Sequence, residues 1–444
     1  MRDPGSLLLP VNQHNKFGNR RNSYRHLSMQ LIYMVTKSNS KPIAAIVGAG
    51  RTKFGELWYQ NPEKLLFDAG LKCIESVDRG LSRNDLQACF FGSFLYQATN
   101  KLGLIPGYMS RELGLNIPIS MTEAACASGG SALYNACIAV SSGVMDTVLV
   151  GGFEKMTDRT GKIADDLMFA ADPHEFDAGF IFPGLYATMM VRYLYDYGSD
   201  REKCMDSMAM VSCKNHHHAM GNKYAHFRRE FTVDAVNNSS LVASPIRLLH
   251  CSPVSDGAAA LIVTSPEKAR ELTDTPVYIV ASQQATDHVS LYTRESLTSI
   301  KTTKLALGAA LSQAGLTMSD IPLAEVHDCF TIEEILFLED SGYYKTGEAW
   351  KGVYESYESY KGSKHIPYVN GGHELIVNPG GGLKADGHPV GATGVRQAYE
   401  SFKQLRGEAG DCQVDVDGPI ETALCHNIGG TGGICIAHIL RRDN

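Results

Sequence analysis

From Pro42 onward the chain alternates short, nearly continuous apolar runs with longer stretches of helical period. Pro42-Ile43-Ala44-Ala45-Ile46-Val47-Gly48 is the first such run and predicts a buried strand. A helical pattern follows over 62–77, then Gly80-Leu81-Ser82-Arg83-Asn84-Asp85-Leu86, then a second strand at Ala88-Cys89-Phe90-Phe91-Gly92. The same series returns later. Pro276-Val277-Tyr278-Ile279-Val280-Ala281-Ser282 leads to a helical stretch around 304–311, to Gly315-Leu316-Thr317-Met318-Ser319-Asp320-Ile321, and to the strand Ala324-Glu325-Val326-His327. The two Gly-Leu-Ser/Thr-x-x-Asp-Leu/Ile segments match in type and in their place between flanking elements, the mark of an internal repeat.

Each half carries a further set of elements. In the first, Ile117-Pro118-Ile119-Ser120 precedes a helix beginning near residue 126 and the strand Thr147-Val148-Leu149-Val150-Gly151-Gly152. In the second, Ile376-Val377 precedes a helix over 390–405 and two strands, Thr422-Ala423-Leu424-Cys425 and Ile434-Cys435-Ile436-Ala437-His438-Ile439. Strands alternating with helices predict an α/β fold of two duplicated halves, each a mixed, mostly parallel sheet covered by helices on both faces. Between the halves the texture shifts to Asp, Gly, His, Met and Tyr, with weak helical patterning over 184–211, as expected of an inserted loop domain. The expected boundaries are a leader at 1–41, an N-terminal half at 42–156, the loop domain at 157–244, the last strand of the first half with a linker at 245–275, and a C-terminal half at 276–444.

Composition narrows the functional classes. A net charge of -7 with 20% charged residues gives no electrostatic reason to expect a nucleic-acid partner. No apolar run has the length of a membrane span. The eleven cysteines are scattered without a C-x-x-C pair, which suggests neither a disulfide framework nor a zinc ribbon and fits a reducing compartment. Before Glu56 the only acid is Asp3, against Arg2, Lys16, Arg20, Arg21, Arg25, Lys37, Lys41, Arg51 and Lys53. With serines among its arginines, the leader has the composition of a mitochondrial transit peptide. The alternative address is a peroxisomal-type organelle, although the chain ends Arg441-Arg442-Asp443-Asn444 rather than in a Ser-Lys-Leu type of tail.

Four stretches carry chemistry. Ala124-Ala125-Cys126-Ala127-Ser128-Gly129-Gly130 sets a cysteine among small residues at a helix mouth, where unpaired N–H groups favour thiolate and a substrate carbonyl can approach closely. Gly387-His388-Pro389, within a glycine-dense loop, offers a constrained imidazole able to take a thiol proton. His327-Asp328-Cys329-Phe330 places two proton-exchanging groups two residues apart, on one side if the extended backbone persists. Cys425-His426-Asn427-Ile428-Gly429-Gly430-Thr431-Gly432-Gly433 reads as a glycine-rich turn: its N–H groups suit an oxyanion or phosphate, and a tight hairpin is the plainer alternative. His216-His217-His218 reads as surface, because adjacent histidines in an extended segment point apart, and Cys425 reads as strand core. Lys223, Arg228 and Arg229, with His226, suit either an anionic substrate group or a solvated face.

In this order, and with Ser255-Asp256-Gly257 between them, these motifs resemble the thiolases over the whole chain from about residue 42, and more narrowly the sterol carrier protein type. Most thiolases have Asn-Glu-Ala-Phe where this chain has His327-Asp328-Cys329-Phe330, and Cys-x-Gly where it has Asn427-Ile428-Gly429. The resemblance implies a 3-ketoacyl-CoA thiolase with Cys126 as the acylated nucleophile and His388 as its activator. It implies one oxyanion hole from the N–H groups of Cys126 and Gly429 and another from His327 and His388. Cys329 would replace the second thiol missing at Asn427, and Phe330 with Lys223, Arg228 and Arg229 would touch the substrate. Coenzyme A would be a co-substrate, with no other cofactor and no metal, and the protein would be a homodimer. The alternatives are a decarboxylating condensing enzyme of the ketoacyl-synthase kind and a non-catalytic acyl-CoA or lipid binding protein of the same fold.

Overall fold

The computed structural model describes residues 41–159, 161–415 and 418–442, so all of the expected leader but Lys41 lies outside the described residues. Strand β1 (Ala44–Arg51) is buried along its whole length, as an uninterrupted apolar run requires. Helix α1 (Pro62–Glu75) follows; the Asn61 side chain caps it by accepting the Lys64 N–H, and Pro62 occupies its first turn. The first half continues through β2 (Ala88–Gly92), α2 (Ile105–Leu113), β3 (Ile119–Thr122), α3 (Ser128–Ser141) and β4 (Thr147–Glu154). A long excursion holds α4 (Phe182–Tyr197) and α5 (Arg201–His218) before β5 (Gly257–Thr264) closes the half. The second half runs β6 (Val277–Thr286), α6 (Lys301–Ala314), β7 (Leu323–Glu325), α7 (Thr331–Asp340), α8 (Ala349–Tyr360), β8 (Tyr368–Asn370), β9 (His373–Val377), α9 (Thr393–Arg406), β10 (Thr422–Gly429) and β11 (Ile434–Arg442).

Among the described residues these strands form one sheet in the order β8-β9-β7-β10-β11-β6-β1-β5-β4-β2-β3. The first half supplies β3-β2-β4-β5-β1 and the second β9-β7-β10-β11-β6, the same order of corresponding strands. Within each set four of the five strands share a direction, and β5 or β11 runs against them. The expected mixed, mostly parallel sheet is therefore present twice. The copies meet through an antiparallel β1–β6 ladder, from Ala44 opposite Ile279 to Ile46 opposite Val277.

The repeated turn is also physically equivalent in its two copies. Gly80 and Gly315 both adopt left-handed backbone, with φ of 78° and 69°, which a glycine reaches without penalty. Asp85 then accepts the Ser82 N–H at 3.0 Å and Asp320 the Thr317 N–H at 2.8 Å, giving matching capping boxes around one 3-10 turn.

Alternation along the central strands buries residues on both faces. Ala45 and Val47 of β1 pack in one hydrophobic cluster, whereas Ala44 and Ile46 pack in the other. The second cluster takes Leu133, Ala136, Cys137 and Val140 from α3, the spacing that predicted this helix face. It also takes Val395, Ala398, Phe402 and Leu405 from α9, so the corresponding helices of the two halves share one core. Among the described residues no helix is long and apolar enough to cross a membrane.

One expectation fails in the excursion. His216, His217 and His218 are the last turn of α5, not an extended segment, and His216 and His218 are buried. Nε2 of His216 lies 3.2 Å from Nζ of Lys384, while His218 meets the Asn378 carbonyl through Nδ1 and the Ile366 N–H through Nε2. The polar face of α5 turns inward because Lys214 and Asn215 pair there with buried carboxylates, Glu334 and Asp328, of the second half.

Candidate active site

Cys126 sits in a 3-10 turn, Ala125–Ala127, that leads directly into α3. Its neighbour Ala125 is left-handed, with φ of 51°, a conformation that costs an alanine about 1–2 kcal/mol and persists only when held. Glu123 holds it by accepting the Ala125 N–H at 2.8 Å, and the Ser128 hydroxyl bridges by accepting the Ala124 N–H and donating to the Ala125 carbonyl. The result is a sharp, fixed bend that presents the sulfur. The residue is only 7% exposed, and burial pushes its thiol up to about 12, against the N–H groups of Gly430 and Cys126 itself and with Glu154 adding to the rise. The expected thiolate at a helix mouth is thus corrected: desolvation outweighs the helix start, and the resting group is a thiol.

His388 enters from the second half. Gly387 before it is left-handed, and a Cβ there would meet the Ser255 hydroxyl at 2.8 Å. The Thr393 hydroxyl donates to the Pro389 carbonyl and therefore accepts from Nδ1 of His388, 2.7 Å away. That arrangement leaves Nε2 as the free acceptor. Burial, with Arg396 nearby, lowers the imidazole to about 3, so it is neutral and able to take a proton.

His327 lies two residues beyond the end of β7. Asn427, from β10, donates through its amide nitrogen to Nδ1 of His327 at 3.1 Å and to the Cys126 carbonyl at 3.1 Å. An amide nitrogen only donates, so the His327 proton lies on Nε2, a fully buried donor without a hydrogen-bond partner among the described residues. The ring meets that of His388 edge to face, centroids 5.1 Å apart, and burial keeps it neutral. The Cys126 sulfur and one ring nitrogen each of His327 and His388 all lie within 4.8 Å of one another.

Cys329 and Phe330 complete the reactive wall, whereas Asp328 turns away and accepts the Leu383 and Lys384 N–H groups of the glycine-rich loop. The strand stops at Glu325, so the expected extended alternation does not carry through His327-Asp328-Cys329; Cys329 lines the cavity and His327 does not. Cys329 is 6% exposed and held well above the ordinary thiol range by burial, with Glu333 and Cys126 adding to the shift. A cavity of about 190 Å³ lies against Cys126, Cys329, Phe330, His388 and Gly430. Its far side is apolar: Met156, Ile163, Leu167, Ile181, Phe182, Val254 and Val390.

Two glycines allow the approach of the halves. A Cβ on Gly394 would lie 2.2 Å from the Gly130 nitrogen and 2.3 Å from Oδ1 of Asn427, so α3 and α9 begin in contact across bare backbone. The nucleophile and the base are brought together by that crossing.

The Asn427–Gly433 segment is the end of β10 and a hairpin turn into β11, as the plainer reading expected, yet it also serves the site. The amide that faces the Cys126 sulfur is that of Gly430. Gly429, the expected oxyanion donor, stands one residue earlier, packed so closely that a Cβ would meet the Ala124 carbonyl at 2.3 Å. Cys425 is strand core, as read. Lys223, Arg228 and Arg229 are exposed and absent from the cavity wall; Arg228 donates to the Met220 carbonyl, and Arg229 lies over Phe231.

Sequence reasoning missed four contributors. Thr393 sets the His388 tautomer, Asn427 sets that of His327, and Tyr186 receives the Cys329 thiol at 3.4 Å. Glu154 gathers the N–H groups of Phe94, Leu95 and Gly391 with the Ser93 hydroxyl, tying the first half to the loop that follows His388. Asn427 was visible as a departure from a motif; Tyr186 lies in a weakly patterned helix and had no signal.

Comparisons with known proteins agree with this geometry. The family description "Thiolase, N-terminal domain" matches residues 44–267, and "Thiolase C-terminal domain-like" matches 283–442. The chain is 43% identical over 399 residues to an acetyl-CoA acetyltransferase of Methanothermobacter thermautotrophicus, covering 90% of this chain and 99% of that one. It is 32% identical over 419 residues to sterol carrier protein 2 of Rattus norvegicus, covering 90% and 72%. A solved structure described as an Ltp2-ChsH2(DUF35) aldolase superposes with a TM-score of 0.73 at 24% identity over 91% of this chain and 99% of that one, a likeness of fold. With both halves matched and the repeat, the sheet order and the cysteine–histidine pair in place, the chain belongs to the thiolase family of acyltransferases.

Proposed function

We propose that the protein cleaves 3-ketoacyl-CoA with free CoA, or runs the reverse Claisen condensation, through an acyl group carried on Cys126. The observation that carries this reading is the convergence of a thiol, a neutral imidazole acceptor and an unpartnered imidazole donor within 4.8 Å, with a second thiol on the same cavity. A fold alone does not choose a reaction. These four side chains support this one.

In the cleavage direction the Cys126 proton passes to Nε2 of His388 as the sulfur attacks the 3-keto carbon. Charge develops on the keto oxygen, for which the N–H groups of Cys126 and Gly429 are the proposed donors, with Gly430 beside them. The bond between C2 and C3 breaks, its electron pair enters the thioester enolate, and the enolate oxygen accepts from Nε2–H of His327 and of His388. Cys329 gives its proton to C2, releasing acetyl-CoA and leaving the shortened acyl group on Cys126. The incoming CoA thiol then attacks the acyl carbon and passes its proton to the Cys329 thiolate, and Cys126 leaves with the proton returned by His388. Coenzyme A is a co-substrate in this route, and no metal or redox cofactor takes part.

The apolar far wall supports an acyl group larger than acetyl. Exposed Lys223, Arg228 and Arg229 are proposed to meet the phosphates of CoA outside the cavity. A homodimer and mitochondrial delivery by residues 1–41 belong to the same proposal. Light scattering of the purified protein tests the first, and a reporter fused to residues 1–41 tests the second.

The deciding experiment incubates wild type, Cys126→Ala and Cys329→Ala with acetoacetyl-CoA and CoA while following loss of the ketoacyl chromophore. Turnover in wild type that vanishes in both variants is expected. An inert wild type that still binds acyl-CoA would favour the binding protein, and full turnover in Cys329→Ala would remove the second thiol from the mechanism.

A further inference from the structure

Tyr186 lies on α4, in the excursion between the halves, and its side chain is fully buried. A phenol has one proton to give and an oxygen able to accept. The proton goes to the Gly430 carbonyl at 3.2 Å, and the oxygen accepts the Cys329 thiol at 3.4 Å. The ring is stacked on Phe330, with centroids 4.4 Å apart and planes at 24°, so the hydroxyl is held at this place by a neighbour of the thiol itself.

The other groups that face the Cys329 sulfur are Glu333, one helical turn along α7, Cys126 on the same cavity, and the adjacent Asp328; each opposes negative charge on it. Both carboxyl oxygens of Glu333 are buried without a hydrogen-bond partner among the described residues, and burial raises that group well above the ordinary carboxyl range. Tyr186, hydrogen-bonded to the sulfur, favours the thiolate.

Resting on the reading of Cys329 as the acid–base thiol, we propose that Tyr186 is its positioning residue, whose hydroxyl turns from the Gly430 carbonyl to the Cys329 sulfur each time that sulfur gives up its proton. While Cys329 is a thiol, S–H donates to the phenol oxygen. When the proton has passed to carbon, rotation about the bond from ring to oxygen brings the O–H onto the thiolate, and no proton leaves the tyrosine. When CoA returns a proton to the sulfur, the hydroxyl swings back. The residue serves both protonation states from one position, which a fixed donor or a fixed acceptor cannot do.

The test compares Tyr186→Phe, Cys329→Ala and the double variant. Phe keeps the stacked ring and removes the hydroxyl. Tyr186→Phe is expected to lower kcat for acetoacetyl-CoA thiolysis roughly 10- to 100-fold, the scale of one hydrogen bond to a charged group, with KM nearly unchanged. Exchange of labelled CoA into acetyl-CoA, in which Cys329 gives its proton to the departing CoA sulfur and takes it back, should slow in the same variant. The double variant should be no slower than Cys329→Ala, and iodoacetamide should label Cys329 more slowly at fixed alkaline pH, read by peptide mass mapping. Wild-type kcat in Tyr186→Phe beside an inactive Cys329→Ala overturns the proposal, as does a double variant slower by the full factor of the single one. Full turnover in Cys329→Ala instead overturns the underlying reading, and the labelling rate still reports on Tyr186. If Phe prevents folding, 3-fluorotyrosine at position 186 keeps ring and hydroxyl and acidifies the latter; it must speed labelling of Cys329, and an unchanged rate overturns the proposal.

Discussion

The side-chain amide of Asn427 donates from one nitrogen to both the Cys126 carbonyl and Nδ1 of His327, at 3.1 Å each. The residue that stands where most thiolases carry a cysteine thus fixes the nucleophile's backbone and orients the imidazole proton opposite it. Asn427→Asp reverses the sense of the second bond: a carboxylate accepts, the His327 proton moves to Nδ1, and Nε2 loses the hydrogen it would give to an oxyanion. We expect kcat for acetoacetyl-CoA cleavage to fall about 100- to 1000-fold, the cost of one oxyanion donor. A loss below threefold would show that His327 does not donate there.

Acid should destabilise the folded chain well above the usual carboxylate range. Burial lowers His216, His388 and His426 to about 3 and His250, His365 and His438 to about 4. The unfolded chain binds these six protons as pH drops through about 6.5, and the folded chain does not, so stability rises with pH between about 4 and 6.5 and is lost on acidification. Glu154, Glu325 and Asp328, raised by burial to about 7, 8 and 6, bind protons in the folded state and act in the opposite sense. Glu333, Glu339, Asp340 and Glu400 are also raised, and His218, His226, His327 and His373 also lowered, so among the described residues ten histidines stand against seven carboxyls and the histidines stay in control, at about 1.4 kcal/mol per pH unit for each uncompensated proton. The urea midpoint should therefore be clearly lower at pH 5 than at pH 7; equal midpoints would contradict the neutral burial of these rings.

Arg51 tests the support of the histidine loop. Its guanidinium grips Asp386, two residues before His388, through two bonds of 2.8 Å, and reaches Glu400 at 2.5 Å, all buried. Arg51→Met leaves two buried carboxylates without this partner, a change of about 3–5 kcal/mol, and should shift the urea midpoint accordingly. Asp386→Asn with Arg51→Met should recover part of that loss. No recovery would mean that the pair does not carry the effect.

Acyl-chain preference should follow the far wall of the cavity. Leu167→Ala or Phe182→Ala enlarges it opposite Cys126, and each added methylene that becomes buried is worth about 0.8 kcal/mol, or about fourfold. The ratio of kcat/KM for 3-ketooctanoyl-CoA over acetoacetyl-CoA should rise about 10-fold. An unchanged ratio would place the acyl chain elsewhere.

Much of this architecture was legible in the chain because the repeat is local: a glycine turn, a capping Asp and an apolar run recur in order, and each specifies its element without distant partners. The Leu133, Ala136, Cys137 and Val140 face was readable for the same reason. Protonation was not legible, since the helix-mouth argument for a Cys126 thiolate counts nearby N–H groups but not the water that folding removes. The histidine triplet failed because an extended segment was expected where the chain is helical, and only the tertiary placement of Lys384, Asn378 and Ile366 explains the burial of His216 and His218. Tyr186 needed the fold itself, because its two partners come from distant parts of the second half.

The contact of Gly130 with Gly394 has a consequence in time as well as in space. Synthesis delivers Cys126 long before His388 or Asn427, so a growing chain holds a reactive thiol with no base and no donor to work with. The first half can fold its own strands meanwhile, as domains do during translation. The site is complete only once the β10–β11 hairpin brings Asn427 onto the Cys126 carbonyl and His327, so catalytic competence should arrive with the docking of the two halves rather than with the folding of either.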